Sequence, residues 1–298
     1  MSRNISGQKG QPERPKSFQT IMKSVADVFL PLLLYYLISS VLLYLMNDLV
    51  QYVAQKSSAG GLIWVLRNAD VIRATNNGIA MLIAIFCLRR YFLSEVCMDG
   101  QPVLIKPRRL AAGWLKEECR SLSSKWRGMI AVVIMATASS ICLNLLAGLI
   151  QAAQYSQTYQ EVAKIQYAVP FILGLLLYGV ISPLAEEILF RGIVYRKCRR
   201  YLGVLPGILL SSLLFAILHG NLVQGVYAFL MGMLMSGVYE RYQNFFAPLL
   251  FHATANIATF SVSYFDIWKT CSAVIMNCVI FAIISAASLV FVFYKKKS

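Results

Sequence analysis

Long apolar runs, separated by short clusters of basic residues, make up most of this chain. Of its 298 residues, 58% are hydrophobic and only 14% are charged, whereas a soluble domain carries about 25% charged residues. Such a chain has too few polar side chains to cover a water-facing surface, and about 20 apolar residues suffice to cross a bilayer as a helix. The sequence therefore predicts an all-α, polytopic transmembrane helix bundle.

The distribution of Lys and Arg predicts how this bundle is oriented. Cytoplasmic loops of membrane proteins are enriched in these residues. With the N-terminus in the cytoplasm, the cytoplasmic segments hold 22 basic residues and the outer loops hold five. We therefore expect both termini in the cytoplasm, in a multi-pass protein of the plasma membrane whose compact chain and short loops are typical of bacteria. The predicted spans are eight: 26–47, 72–92, 129–151, 168–195, 204–219, 222–239, 246–264 and 272–294.

The predicted spans divide the chain into four parts. Residues 1–25 are expected to form a flexible cytoplasmic tail, and 26–164 to form the N-terminal transmembrane helices with a basic cytoplasmic loop over 94–127. Residues 165–265 carry the candidate catalytic core, and 266–298 hold the last transmembrane helix and a basic C-terminus.

Within the basic loop, Leu110, Trp114, Leu122 and Trp126 recur at near-helical spacing between basic residues. This pattern favours an interfacial helix on anionic lipid headgroups. A solvated loop is the alternative. Membrane lipid is therefore one expected partner.

The formal net charge of +15 would suggest a nucleic-acid partner in a soluble protein. Here the basic residues lie between apolar segments and not in one patch, so membrane topology explains them and no nucleic-acid partner is expected. The seven cysteines are an odd number without a CxxC pair. They are interpreted as small buried hydrophobic residues or reduced thiols.

Ionisable residues at membrane depth are costly and are functional candidates by default. Apart from Arg73, Arg89 and Arg90 at the ends of the second span, the predicted spans contain few Asp, Glu, Lys, Arg or His residues, and all but one of these fall between residues 186 and 252. The exception, Asp27, lies at the edge of the first span and is interpreted as interfacial. The others are Glu186, Glu187, Arg191, His219 and His252.

The two adjacent glutamates are predicted to have different roles. Glu187 and Arg191 are four residues apart with the acid first, which favours a structural ion pair on one helix face. Glu186 points about 100° away from Glu187, and it is therefore the candidate general base. Pro183 lacks an amide hydrogen, so the carbonyl of Gly179 loses its helical partner and a kink is expected there.

Both histidines of the chain share a helical spacing of four with another polar or aromatic residue. His219 is predicted to share a face with Phe215, and His252 with Asn256. A glutamate and a histidine can activate water, and a histidine and an asparagine can donate hydrogen bonds to an oxyanion. The alternative is that each histidine makes only a structural bond between helices.

These segments contain three short motifs: EExxxR at 186–191, FxxxH at 215–219 and HxxxN at 252–256. In this order, over about 165–265, the chain resembles the CPBP family of intramembrane proteases, the CAAX-protease and bacteriocin-processing group also called Abi. Gly232, Gly237 and the run 247–249 resemble the family's linker. The resemblance implies an eight-helix bundle and a membrane endopeptidase. It also implies that Glu186 and His219 activate water while His252 and Asn256 stabilise the oxyanion.

The sequence leaves open whether the predicted hydrolysis needs a metal. Glu186, His219 and His252 could hold zinc with an open position, and the resembled family is often described as a metalloprotease. The absence of an HExxH motif and the asparagine beside His252 favour a metal-free reaction.

Two other classes of function are also considered. A non-proteolytic immunity or regulatory protein would act by contact with a membrane partner. A transporter would use the buried ionisable residues as a proton relay, but no inverted repeat is visible. For the protease, the expected substrate is a peptide or membrane-protein segment near the cytoplasmic leaflet. Prenylated CAAX substrates belong to the family's eukaryotic branch and are not favoured here.

Overall fold

The computed structural model describes residues 18–98, 107–267 and 271–294. All regular elements in these ranges are helices, which confirms the predicted all-α fold. Residues 1–17 of the predicted tail, 99–106 of the basic loop, Lys269 and the basic run 295–297 lie outside the described residues.

The helices follow one another with short connections. They are α1 (Phe18–Lys56), α2 (Ala59–Arg67), α3 (Ala69–Met98), α4 (Pro107–Ser124), α5 (Trp126–Leu149), α6 (Gln157–Ala168), α7 (Phe171–Leu202), α8 (Val204–Ile217), α9 (Leu222–Tyr242), α10 (Phe246–Tyr264) and α11 (Cys271–Phe293). A 3₁₀ turn, Ala152–Tyr155, joins α5 to α6.

Each of the eight predicted spans coincides with a helix, and within the described ranges six helices are long and apolar enough to cross a membrane. The chain is therefore a multi-pass membrane protein. Helix α8 is apolar but has 14 residues, or about 21 Å at 1.5 Å per residue, which is shorter than the hydrocarbon core. The total of eight spans and the cytoplasmic location of both termini remain predictions.

Helix α7 widens twice along its length. Residues Leu177–Ile181 and Phe190–Tyr195 are π-helical, and the α-helical stretch Ser182–Leu189 lies between them. In the first widened turn the amide of Ser182 donates to the carbonyl of Leu177, five residues back. The helix therefore accommodates Pro183 through a π-turn at the place where the sequence predicted a kink.

The centre of the bundle is made by α5, α7, α9 and α10, with α8 packed on α9 and α11 packed on α5. Close approach depends in part on Gly232, where an added Cβ would lie 3.1 Å from the Cβ of Ser212 on α8. Small residues at such crossings let helices meet at van der Waals distance in a membrane. On the outside, α1 exposes large apolar residues such as Leu33 and Leu37, as expected of a helix that faces lipid.

Helix α4 replaces most of the predicted basic loop. Its Trp114 packs edge-on against Phe92 and Phe245, at ring-centroid distances of 5.3 and 5.6 Å. The predicted helix is therefore present, but its Trp114 faces the protein interior and not the lipid. The side chain of Trp126, just beyond α4, is 56% exposed. The carboxylate of Glu118 accepts a hydrogen bond from the Phe245 amide at 2.8 Å, beside the start of α10. Burial raises the pKa of Glu118.

We predict that α4 is cytoplasmic and the α5–α6 connection is outside. In a cysteine-free background, a cysteine at exposed Gln154 should react with a membrane-impermeant maleimide in intact cells. A cysteine at exposed Ser123 should react only after the cells are permeabilised. Labelling of residue 123 in intact cells would contradict the predicted topology.

Candidate active site

The four residues predicted to be catalytic line a single cavity of about 400 Å³. Glu186 comes from α7, His219 from the turn after α8, and His252 and Asn256 from α10. Phe215 of the FxxxH motif lies in the same wall. The structure therefore brings together the residues that the sequence singled out on three separate segments, although their catalytic roles remain predictions.

Glu186 faces this cavity and is 20% exposed. Its carboxylate oxygen Oε1 accepts a short hydrogen bond of 2.5 Å from the hydroxyl of Ser182, one helical turn earlier. Ser182 also lines the cavity and was missed in the sequence. The four-residue spacing that identified the Glu187–Arg191 pair would also have identified Ser182 as a neighbour of Glu186.

Glu187 and Arg191 form the predicted ion pair, and both side chains are almost fully buried (0% and 1% exposed). Arg191 Nη1 lies 2.8 Å from Glu187 Oε1, and Arg191 Nη2 donates to the carbonyl of Gly232 on α9 at 3.0 Å. The guanidinium also lies over the ring of Phe215, 4.9 Å from its centroid. The ion pair therefore joins α7, α8 and α9.

His252 links the two glutamates, which the sequence did not predict. Its Nδ1 lies 2.8 Å from Glu187 Oε1, the same oxygen that binds Arg191, and its Nε2 lies 3.6 Å from Glu186 Oε2. A carboxylate that accepts a hydrogen bond from Nδ1–H fixes the orientation of the imidazole ring, so that Nε2 points to the opposite side of the ring. Glu187 is therefore more than a partner of Arg191, since it also directs Nε2 of His252 towards Glu186.

His219 lies two residues beyond the end of α8, because the helix ends at Ile217 and not at residue 219 as predicted. Its Nδ1 lies 2.8 Å from the carbonyl of Phe215. Because a carbonyl can only accept, Nδ1 carries the hydrogen, which leaves Nε2 available for a proton from water. The Phe215 ring meets His219 edge-on at 4.8 Å and His252 edge-on at 5.8 Å. Phe215 therefore contacts both histidines.

Asn256 is held by the widened turn of α7. Its Nδ2 donates to the carbonyl of Tyr178 at 3.0 Å. That carbonyl cannot bond to the amide four residues ahead, because Ser182 bonds to Leu177, and the residue five ahead is Pro183, which has no amide hydrogen. Asn256 supplies the missing donor with one of its two N–H groups. The carbonyl of Tyr178 therefore lacks a helical partner as well, next to that of Gly179, which Pro183 was predicted to leave without one.

The metal-free reaction that the sequence favours, and the zinc site that it left open, both stay predictions. In the part of the chain that the structure describes, no three His, Cys, Asp or Glu side chains are arranged to hold a metal ion. Nδ1 of His252 is bound to Glu187 and Nδ1 of His219 to a backbone carbonyl. These bonds leave Nε2 of each ring free, as they also do in metal-ligating histidines.

The cavity extends from these residues towards α6, where Tyr159, Ala163 and Gln166 form its far wall. The predicted topology puts α6 on the outer side of the membrane. Glu186 and His219 also line a second cavity, of about 290 Å³, whose other wall is α1. The expectation that the substrate lies near the cytoplasmic leaflet stays a prediction.

We predict that Arg191→Ala destabilises the protein. The substitution leaves the carboxylate of Glu187 buried without its guanidinium, which typically costs about 3–5 kcal/mol. The control is Arg199→Ala, whose pair with Glu240 is partly exposed and should contribute below about 1 kcal/mol. Thermal unfolding in detergent measures both variants. Equal losses of stability would contradict the structural role of Arg191.

Comparison with known protein families covers this part of the chain. Residues 168–258 match the family model of Rce1-like type II CAAX prenyl endopeptidases, and the match includes all three motifs. No curated protein and no solved structure matches the chain. The match supports an intramembrane endopeptidase of the CAAX type, which acts on membrane-associated peptides or proteins. Over residues 168–258, the chain therefore matches the Rce1-like CAAX endopeptidases, and the resemblance to the CAAX-protease family is confirmed.

Proposed function

We propose that this protein is an intramembrane endopeptidase in which Glu186 and His219 activate a water molecule without a metal. The observation that carries the proposal is the shared cavity, which collects a carboxylate, two imidazoles and an amide from three segments. No nucleophilic serine or cysteine is required by this chemistry.

The first step is the attack of water on the peptide carbonyl. A water between Glu186 and Nε2 of His219 would give a proton to the Glu186 carboxylate while its oxygen bonds to the carbonyl carbon. The hydrogen bond from Ser182 holds Oε1 of Glu186 in place. Glu186 then returns the proton to the amide nitrogen as the C–N bond breaks, so protons and bonds balance over the cycle.

The second requirement is stabilisation of the negative oxygen that forms on the carbonyl. Asn256 keeps one N–H group after bonding to Tyr178. His252 presents Nε2 on the side away from Glu187, and with a proton there it can donate to the same oxygen. Such preorganised donors typically contribute about 10²–10³ in rate each. Glu187 acts as a positioning residue, because its hydrogen bond with Nδ1 of His252 fixes the direction of Nε2.

We further propose that the substrate reaches these residues from the α6 side. The wall of the cavity formed by α6 is partly polar, which suits an extended peptide whose backbone groups need hydrogen-bond partners at membrane depth. A cytoplasmic prenylated C-terminus fits this route less well than a peptide on the outer side, if the predicted topology holds.

A non-proteolytic immunity or regulatory role is the alternative. It would require only that the fold presents a surface to a membrane partner. It does not account for the position of Ser182 on Glu186 or for the alignment of His252 between two carboxylates, because these residues line the internal cavity and are largely buried.

We predict that Glu186→Gln abolishes hydrolysis and leaves the fold intact, because loss of a general base typically lowers the rate by about 10²–10⁴. Peptides shed from cells that carry the wild-type or the variant protein would first identify a substrate by mass spectrometry. Cleavage of that substrate in proteoliposomes then gives kcat and KM. Glu117→Gln, at an exposed position on α4, is the matched control.

The same assay separates the alternatives. Asn256→Ala should lower kcat by about 10²–10³ with little change in KM, and a chelator should leave wild-type activity unchanged. Near-normal cleavage by Glu186→Gln would contradict the proposed base. Inactivation by chelator with recovery on adding zinc would favour the metal-dependent alternative. Equal peptide shedding with and without the protein would favour the non-proteolytic role.

We also predict that Ala163→Trp lowers kcat/KM by about tenfold or more, because a bulky side chain in the α6 wall would narrow the route to the catalytic residues and weaken substrate positioning. Ala168→Trp, an exposed position on the same helix outside the cavity, is the control. Unchanged cleavage by Ala163→Trp would show that the substrate uses another route.

A further inference from the structure

A large groove lies at the start of α5, whereas the catalytic cavity lies near the other end of the same helix. The proposed reaction does not use this groove. It has a volume of about 1000 Å³ and is formed where α4 meets α5, where α9 ends and where α11 ends. We call it the basic groove. Its basic residues are Lys125, Arg127 and Arg241, and its exposed apolar wall includes Trp126, Val290 and Phe291.

The basic groove has little negative charge of its own, and the acidic residue that acts on one of its cations is Glu118 on α4, near Lys125. No acidic residue is among the lining residues. None of the three basic side chains forms an ion pair with a described residue, whereas Glu95 and Glu240 elsewhere pair with Lys197, Arg200 and Arg199. A concave surface with three cations and no acidic residue in its lining favours a negatively charged ligand.

Two of the basic side chains are already held in place. Lys125 Nζ donates to the Ser121 hydroxyl at 3.0 Å and to the Tyr242 carbonyl at 2.8 Å, so one of its three hydrogens remains. Arg241 Nε donates to the Val292 carbonyl at 2.9 Å, and its Nη groups remain. The carbonyls that end α9 and α11 are thus bonded, and the remaining donors are available to a ligand. Ordered donors lose little conformational entropy on binding.

The first turn of α5 adds to the positive potential of the basic groove. Lys125 caps this 24-residue helix without a side-chain capping hydrogen bond, and the lining continues through Trp126, Arg127 and Gly128. The N-terminus of a helix carries a partial positive charge and free amide groups that favour phosphate. The basic side chains and the helix terminus therefore favour the same ligand chemistry.

The apolar wall distinguishes a lipid from a soluble anion. Phe291 and Val290 are 66% and 60% exposed, and they belong to α11, one of the helices with the composition of a membrane span. The wall therefore leads from the basic residues directly into the bilayer. Trp126 at the rim is typical of the membrane–water interface. A free phosphate would leave this wall uncovered, whereas the acyl chain of a phospholipid would cover it.

We propose that the basic groove is a binding site for one anionic phospholipid. Its phosphate would bind Arg127, Arg241 and the remaining hydrogen of Lys125, and one acyl chain would lie along α11 against Phe291 and beside Ala287. Basic pockets between membrane helices on the cytoplasmic side bind anionic headgroups in this manner. The basic residues that the sequence attributed to topology would thus also hold a specific lipid.

The test is native mass spectrometry of the full chain in detergent, titrated with phosphatidylglycerol or with phosphatidylcholine of the same acyl chains. Phosphatidylglycerol should bind about tenfold more tightly or better, since the basic residues act on net negative charge. At about fivefold per basic residue, Arg127→Gln/Arg241→Gln should weaken its binding by on the order of 25-fold. Arg90→Gln/Arg120→Gln, which removes two exposed basic residues outside the basic groove, is the charge-matched control.

Two further variants keep the test decisive if the double variant folds poorly. Arg127 makes no hydrogen bond to a described residue, so Arg127→Gln alone should fold and weaken binding by about fivefold. Ala287→Trp fills the apolar wall without changing charge and should weaken binding of the lipid. Equal binding of the two lipids, or an equal loss in the control variant, would overturn the proposal. Displacement by millimolar glycerol 3-phosphate with no effect of Ala287→Trp would show a soluble-anion site and would also overturn it.

Discussion

The buried ion pair between Glu187 and Arg191 is the interaction on which the rest of the core depends. Two charges without exposure to water are stable only if each finds an opposite charge and hydrogen bonds. Arg191 meets this requirement with Glu187 and with the carbonyl of Gly232, so that α7 and α9 are held at a fixed distance. The same carboxylate oxygen binds Nδ1 of His252. A structural requirement of the membrane interior therefore also orients a residue of the candidate site.

Local backbone geometry has a similar double role in α7. The π-turn before Ser182 and the missing amide of Pro183 leave the Tyr178 carbonyl without a helical partner, and Asn256 supplies one. Ser182, at the end of that turn, donates to Glu186. Widened turns of this kind often occur at functional sites, because they redirect side chains without ending the helix. Here one such turn positions a residue of α10 as well as two residues of α7.

The two ends of the bundle differ in chemistry. The catalytic cavity extends towards α6, whereas the basic groove lies where α4, α5, α9 and α11 meet. In the predicted topology these are opposite sides of the membrane. Substrate and anionic lipid would therefore reach the protein from different sides, and neither would compete with the other for space. The short apolar helix α8 carries Phe215, which contacts Arg191 and both histidines.

The sequence by itself determined the helical membrane fold, the approximate position of the eight predicted spans and the four candidate residues that line one cavity. A membrane span is recognised from the hydropathy of about 20 consecutive residues, and an i, i+4 pair from residues within one helical turn. Both patterns are local, so the sequence alone reveals them. The spacing identified the pair of Glu187 with Arg191 and separated Glu186 from it. Contacts between helices were decided only by the tertiary structure, because the rotation and depth of each helix depend on packing. The bond of His252 to Glu187 joins residues 65 apart, and no local pattern encodes it.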